Sequence, residues 1–261
     1  MDSASNAIGI LQFVLSCFSQ IQLAREFENE FEVYQLKLDL IQLRLSRWGE
    51  VAKLNNYSTV TREGQPTSND GYETPGSPAG DPVIAVLLEI RATVTKAQRD
   101  AKKNKNNTAI DQPLDADACI PADLRGVRNR LKGILSRRTS QTTKVVDSLK
   151  WAFYKRDHFD RFITDIASLT DTLESLLTEG DRQKLLELSK DECKGINKPN
   201  LEELKDIAQD CDPSIEKAAD EALKNARGGV NYVTQSHNTG NVMGVNNGMY
   251  NVSGTHYWGR N

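Results

Sequence analysis

The sequence predicts an all-α helical bundle joined to a chemically distinct C-terminal tail, and three observations carry that reading. Apolar residues recur at i, i+3, i+4 and i+7 through most of residues 1–227. No stretch before Gly228 shows period-two alternation, so a sheet-based fold would have to hide its strands. Beyond Gly229, Lys, Arg, Asp and Glu vanish except for Arg260, while Asn and Gly dominate. The expected division is therefore a helical domain over 1–227 and a separate Asn/Gly-rich module over 228–261.

From Ser3 to Ala24 there is no charged residue. Ile8, Leu11, Leu15 and Phe18 form one helical stripe, and Ile10, Val14, Cys17 and Ile21 a second. At about 1.5 Å per residue this segment could just cross a hydrocarbon layer of roughly 30 Å. Its Gln12, Ser16, Ser19, Gln20 and Gln22 make a permanent span unfavourable, and a buried core helix is preferred. Asp2, with no Lys or Arg nearby and no small-residue cleavage pattern, does not fit a secretory signal. The sequons at Asn56, Asn106 and Asn251 are then chance matches.

A long helical pattern follows from Arg25 to Lys53. Leu38, Ile41, Leu45, Trp48 and Ala52 lie on one stripe and Leu36, Leu40 and Leu43 on another, which predicts a central helix packed on two sides. Residues 55–82 are rich in Gly, Pro, Ser, Thr and Asn and predict a flexible surface loop. Helical spacing returns over Val83–Lys103 and again after Pro121, a helix-starting proline. The second region is expected to continue through Val145, Val146, Leu149, Trp151 and Phe153. A further helix carries Phe159, Phe162, Ile163, Ile166, Leu169, Leu173, Leu176 and Leu177. Shorter helices are expected over Leu185–Leu188, from Asn200 with Glu203 at capping-box spacing, and from Asp212-Pro213. Leu38, Ile41, Leu45, Trp48 and Trp151 are the expected domain core.

The chemistry of catalysis finds little support. There is no G-x-x-x-x-G-K-[ST], G-x-G-x-x-G or G-x-S-x-G. Cys17, Cys119, Cys193 and Cys211 are scattered without a C-x-x-C, which disfavours a disulfide framework or a zinc site and suits reduced thiols. His158, between Asp157 and Asp160, reads as a solvated residue rather than a general base. No catalytic residue, cofactor or metal is expected. With a net charge of −3 the chain has no bulk attraction for nucleic acid or anionic lipid. The basic run Arg125, Arg128, Arg130, Lys132, Arg137, Arg138 and Lys144 is favoured as a solvated face turned toward the acidic C-terminal helices. Contact with anionic headgroups is its functional alternative.

In the tail the residues mirror one another around Asn246: Val245 precedes it, Gly244 faces Gly248, Met243 faces Met249, Val242 faces Tyr250 and Asn241 faces Asn251. Asn ladders, Gly punctuation and near-absence of charge suit a cross-β layer, because in-register stacking places each side chain about 4.8 Å from its copy. A column of like charges at that spacing would repel by about 1 kcal/mol per neighbour even in water. Composition is equally compatible with an unstructured low-complexity terminus, and the mirror and retained apolar residues tilt the balance toward assembly.

Two blocks carry a family resemblance. Tyr34-Gln35-Leu36-Lys37-Leu38-Asp39-Leu40, continued by Arg44-Leu45-Ser46-Arg47-Trp48-Gly49-Glu50, resembles the signature of fungal HeLo domains, also called prion-inhibition and propagation domains. Arg130-Leu131, Ser136-Arg137-Arg138 and Lys150-Trp151-Ala152-Phe153-Tyr154, leading to Phe159 and Phe162, agree with it. The resemblance spans most of residues 1–226.

It implies an α-helical cell-death executor of fungal heterokaryon incompatibility or innate immunity. Its C-terminal amyloid motif would receive a template from a partner, often a nucleotide-binding immune-type receptor. The chain would be cytoplasmic at rest and relocate to the plasma membrane on activation. The residues for insertion would be Ile8, Ile10, Leu11, Phe13, Val14, Leu15 and Phe18, and those for the amyloid core 241–246 and 248–251. The tail departs from the family's founding amyloid, which has two charge-bearing repeats, and is similar to pseudo-palindromic fungal motifs that resemble the animal RIP homotypic interaction motif. The alternative is a non-toxic prion-like antagonist or adaptor that assembles through the tail without membrane activity.

Overall fold

A computed structural model describes residues 3–52, 81–107, 113–115, 119–139, 150–228, 244–246 and 249–251. They form an all-α bundle: α1 (Ser3–Phe18), α2 (Phe31–Val51), α3 (Pro82–Asn107), α4 (Ala122–Thr139), α5 (Arg156–Ser175), α6 (Glu179–Cys193), α7 (Lys198–Ala208) and α8 (Pro213–Gly228). Helix α2 is the hub. It packs against α1, α4, α5, α6 and α7, and it buries residues on nearly every side from Leu36 to Gly49. Two apolar stripes produce this, because a helix with a single stripe keeps a solvated face. Leu38, Ile41, Leu45, Trp48 and Trp151 all lie in the resulting core.

The sequence missed a short sheet. Strand β1 (Ile21–Leu23) runs parallel to β2 (Trp151–Phe153), with Ile21 beside Trp151 and Leu23 beside Phe153. Three-residue strands are too short to register period-two alternation, and both are apolar enough to pass for helical stripes. The first helix therefore stops at Phe18 rather than Ala24, and Ile21 belongs to a strand. Trp151 and Phe153 likewise leave the helical region to which their spacing assigned them, while 140–149 lie outside the described residues.

Other boundaries shift for local reasons. Arg25–Glu30 is a 3₁₀ segment, so α2 opens at Phe31. Helix α7 begins at Lys198 because Asn197 Oδ1, not the Asn200–Glu203 pair, accepts the Asn200 N–H at 3.0 Å, with Pro199 in the first turn. Leu185–Leu188 is the middle of α6, capped by the Thr178 hydroxyl. Asp212 caps α8 as its Asp-Pro opening predicts, its Oδ1 accepting from Ile215 N at 3.2 Å. Of the expected loop over 55–82, all but Asp81 and Pro82 lies outside the described residues, and Pro82 begins α3.

Candidate functional site

Helix α1 lies in a seat made by α2 and α3. Ile8, Ile10, Leu11, Val14, Leu15 and Phe18 are all buried, and Phe13 is half-buried with the Arg91 guanidinium 5.8 Å from its ring centroid. The insertion residues proposed from sequence are thus sequestered together. Gly49 lets Leu11 pack directly onto α2: a Cβ built there would stand 2.5 Å from Leu11 Cδ2, so any larger residue would require the end of that side chain to shift. Gln42 Nε2 donates to the Leu15 carbonyl at 2.9 Å, fixing the last turn of α1.

Past the turn, Trp151 N donates to Gln20 O at 3.1 Å and Ala24 N to Phe153 O at 3.0 Å, so the ladder anchors the exit of α1. Phe18 packs on Phe162 at 5.6 Å between ring centroids. Among the described residues no helix is long and apolar enough to cross a membrane, and α1 itself has 16 residues.

The R-L-S-R-W-G-E run lies on the neighbouring turns of α2 and ties it to the C-terminal helices. Arg44, 1% exposed, donates from Nε and Nη2 to Glu174, from Nη2 to Asp171 and from Nη1 to Cys211 O. Arg47 is fully buried. It donates to Glu192 at 2.7 Å and 3.1 Å and to the two oxygens of Asp212 at 3.1 Å and 2.8 Å. Burial works against both charges, but the surrounding carboxylates outweigh it and hold each guanidinium above its ordinary pKa. Trp48 Nε1 donates to Leu173 O at 3.0 Å.

Buried ion pairs add little net stability over an apolar core, yet removing one partner costs about 3–5 kcal/mol. The network therefore makes Arg47, Glu192 and Asp212 depend on one another. Asp212 caps α8, the last helix before the tail, while Gly49, two residues after Arg47, touches α1. One segment of α2 thus faces both ends of the domain.

The basic helix α4 turns inward more than its composition implied. Arg128 is buried and donates to Asp39 at 2.7 Å. Arg130 donates to the Asp191 and Glu192 carbonyls at the C-terminal end of α6, where the helix dipole favours a cation. Arg138 pairs with Glu50 and Glu192. The expected acidic partners on the C-terminal helices include Glu192, but Asp39 and Glu50 come from α2, and Arg128 is not solvated. Lys144 lies outside the described residues. Sequence reasoning missed Asp39, Glu192 and Asp212 as buried partners, since nothing local distinguishes them from solvated acids. Burial raises the Asp39 carboxyl above the usual range despite Arg128. Burial likewise pushes the Cys193 and Cys211 thiols up to about 12, with neighbouring acids adding to the effect. His158 is exposed at the mouth of a groove between α3 and α5.

In the tail, β3 (Gly244–Asn246) and β4 (Met249–Asn251) pair antiparallel, with Gly244 beside Asn251, Val245 beside Tyr250 and Asn246 beside Met249. The pairing is centred between Asn247 and Gly248, not on Asn246 where the sequence mirror is centred. Asn-Gly between two apolar stretches is the standard two-residue hairpin signal, and it was available in the sequence. Asn241, Val242, Met243 and Gly248 lie outside the described residues.

Known proteins agree with this architecture. The profile of the HeLo family, described as prion-inhibition and propagation, matches residues 3–208. Heterokaryon incompatibility protein s of Podospora anserina is 28% identical over 219 residues, covering 83% of this chain and 71% of its own length. Heterokaryon incompatibility protein S of the same fungus matches to the same extent. The solved N-terminal domain of HET-s, in a mutant form, superposes with a TM-score of 0.71 at 25% identity, covering 84% of this chain and 99% of its own. The chain belongs to the HeLo, or prion-inhibition and propagation, family.

Proposed function

We propose that this protein is a conditional membrane-permeabilising executor of heterokaryon incompatibility or innate immunity, armed when its tail assembles on a matching amyloid template. The observation that carries the reading is the seat of α1: an uncharged helix packed on α2, and α2 is separately tied to α8 two residues before Gly49, through Arg47 and Asp212. Withdrawing Ile8, Ile10, Leu11, Val14, Leu15 and Phe18 into water would cost about 9–18 kcal/mol at roughly 1.5–3 kcal/mol each. A hydrocarbon layer returns most of that, so undocking next to a bilayer is far cheaper than undocking in solution. Insertion in this reading requires α1 to extend into residues 19–24, which at rest are held by β1 and its flanking hydrogen bonds.

Tail templating is supported by the low charge of the segment and by a hairpin that leaves strand edges for further pairing. The templating partner on this reading is a nucleotide-binding immune-type receptor, and the chain itself is non-catalytic. The second reading, a non-toxic antagonist or adaptor, draws support from the 16-residue length of α1. The test mixes the full chain with dye-loaded anionic liposomes, with and without preformed fibrils of residues 229–261. Leakage only with fibrils is expected. Equal leakage in both, or fibril elongation with no leakage, refutes the executor reading, and the second outcome favours the adaptor.

A further inference from the structure

The start of α5 has no cap of its own. Lys155 occupies the capping position with the extended backbone that a cap requires, but lysine has no acceptor to offer the orphan amides of the first turn. The acceptor comes instead from the 3₁₀ segment that joins β1 to α2: the Arg156 N–H donates to Glu26 Oε1 at 3.0 Å, across 130 positions of chain. A carboxylate suits this place because the first turn of a helix carries the positive end of its dipole. The same two segments are joined again by charge. Lys155 Nζ lies 3.3 Å from Glu26 Oε2, Arg156 Nε donates to the Glu26 carbonyl at 3.0 Å, and Arg156 Nη1 donates to Glu30 Oε2 at 2.6 Å. The Arg156 guanidinium also stands 5.4 Å from the ring centroid of Tyr34. Phe27 of the 3₁₀ segment meets Phe159 of the first turn of α5 edge-on, with 5.6 Å between centroids.

These contacts close a strap over residues 19–30, which begins where α1 ends. Its first half is held by backbone pairing, with Trp151 N donating to Gln20 O and Ala24 N to Phe153 O, and its second half by the groups just described. We infer that Glu26 is the cap of α5, supplied from the strap, and that it works as an autoinhibitory clasp: the strap and the first turn of α5 open and close together. With the strap lifted, the Arg156 N–H loses its acceptor and α5 frays. With α5 frayed, Glu26 and Glu30 lose their cations. The four charged side chains are 31–56% exposed, so solvent reaches this joint, whereas the Arg47 network is sealed. The autoinhibitory meaning rests on the executor reading, in which residues 19–24 must leave with α1; the coupling itself does not.

The experiment reads amide hydrogen exchange residue by residue in the full chain, without fibrils or lipid. In Glu26→Ala the amides of 25–30, of Arg156 and of 159–161 are expected to exchange at least about fivefold faster, the usual effect of losing a cap, although α5 lies 130 positions from the substitution. Glu30→Ala removes an ion pair and leaves the cap, so the α5 amides should stay within about twofold of wild type. Lys155→Asp places an acceptor at the capping position itself. Added to Glu26→Ala, it should restore protection at 159–161 while 25–30 keep the faster exchange of the single variant. Unchanged α5 exchange in Glu26→Ala, an equal effect from Glu30→Ala, no rescue by Lys155→Asp, or a loss of protection spread evenly through α6–α8 overturns the inference. Liposome leakage is scored separately, so a failure of the clasp and a failure of the executor reading are told apart.

Discussion

Replacing Arg47 by methionine tests the buried charge network most sharply. Methionine matches the aliphatic stem but removes all contacts to Glu192 and Asp212, both of which are at most 1% exposed. Stripping one partner from a buried pair costs about 3–5 kcal/mol. The two acids do not suffer equally. Glu192 keeps Arg138, whereas the Asp212 carboxylate retains the Ile215 amide as its donor. The expected loss is therefore near 3 kcal/mol, a large share of the ~5–15 kcal/mol typical of a domain. Urea denaturation followed by circular dichroism at pH 7 reads it as a lower midpoint with an unchanged slope. A second change, Asp212→Ser, removes the stranded charge and keeps a capping oxygen, so Arg47→Met/Asp212→Ser should regain about 2 kcal/mol. A single variant within about 0.5 kcal/mol of wild type, or a double variant no more stable than the single, would refute the claim that these charges are mutually dependent.

The seat and the buried thiols each make a prediction of their own. Gly49→Leu should cost about 1–3 kcal/mol by overpacking and speed amide exchange in α1 while leaving α6–α8 protected. Adding Leu11→Ala should restore part of that protection, and unchanged α1 exchange in the single variant contradicts the close approach. Cys193 and Cys211 are raised in the fold from 9.0 to about 12, so their contribution to stability is complete below pH 9 and is lost as pH climbs toward 12. Wild-type protein should lose stability across that window in urea melts, and Cys193→Ala/Cys211→Ala should flatten the slope. Parallel slopes for the two proteins would sink the assignment.

The sequence made the bundle legible because α2 and α5 repeat their apolar residues over many turns, and a long period survives local noise. It also located the seated helix, since an uncharged run from Ser3 to Ala24 has few alternatives to burial. What it obscured depends on distant pairing. Strands β1 and β2 have three residues each and exist because Ile21–Leu23 meets Trp151–Phe153, 130 residues further along the chain. The acids that hold Arg44 and Arg47 lie 127 to 165 residues away and look identical to surface acids in a linear reading. The importance of Gly49 was hidden for the same reason, because a glycine within a helix declares itself only when its neighbour is known. The hairpin centre was different: Asn247-Gly248 is a local turn signal, legible in the sequence without any distant partner.

The proposed membrane action has α1 leave its seat. The paired substitutions Leu11→Cys and Gly49→Cys, at positions that face each other across that seat, allow the helix to be locked by oxidation and freed by a reductant in one and the same sample. With fibrils of residues 229–261 and dye-loaded anionic liposomes present, leakage is expected from the reduced protein and none from the oxidised form once mass spectrometry shows the bond. Equal leakage from the oxidised protein would mean that α1 acts without undocking, or does not act at all.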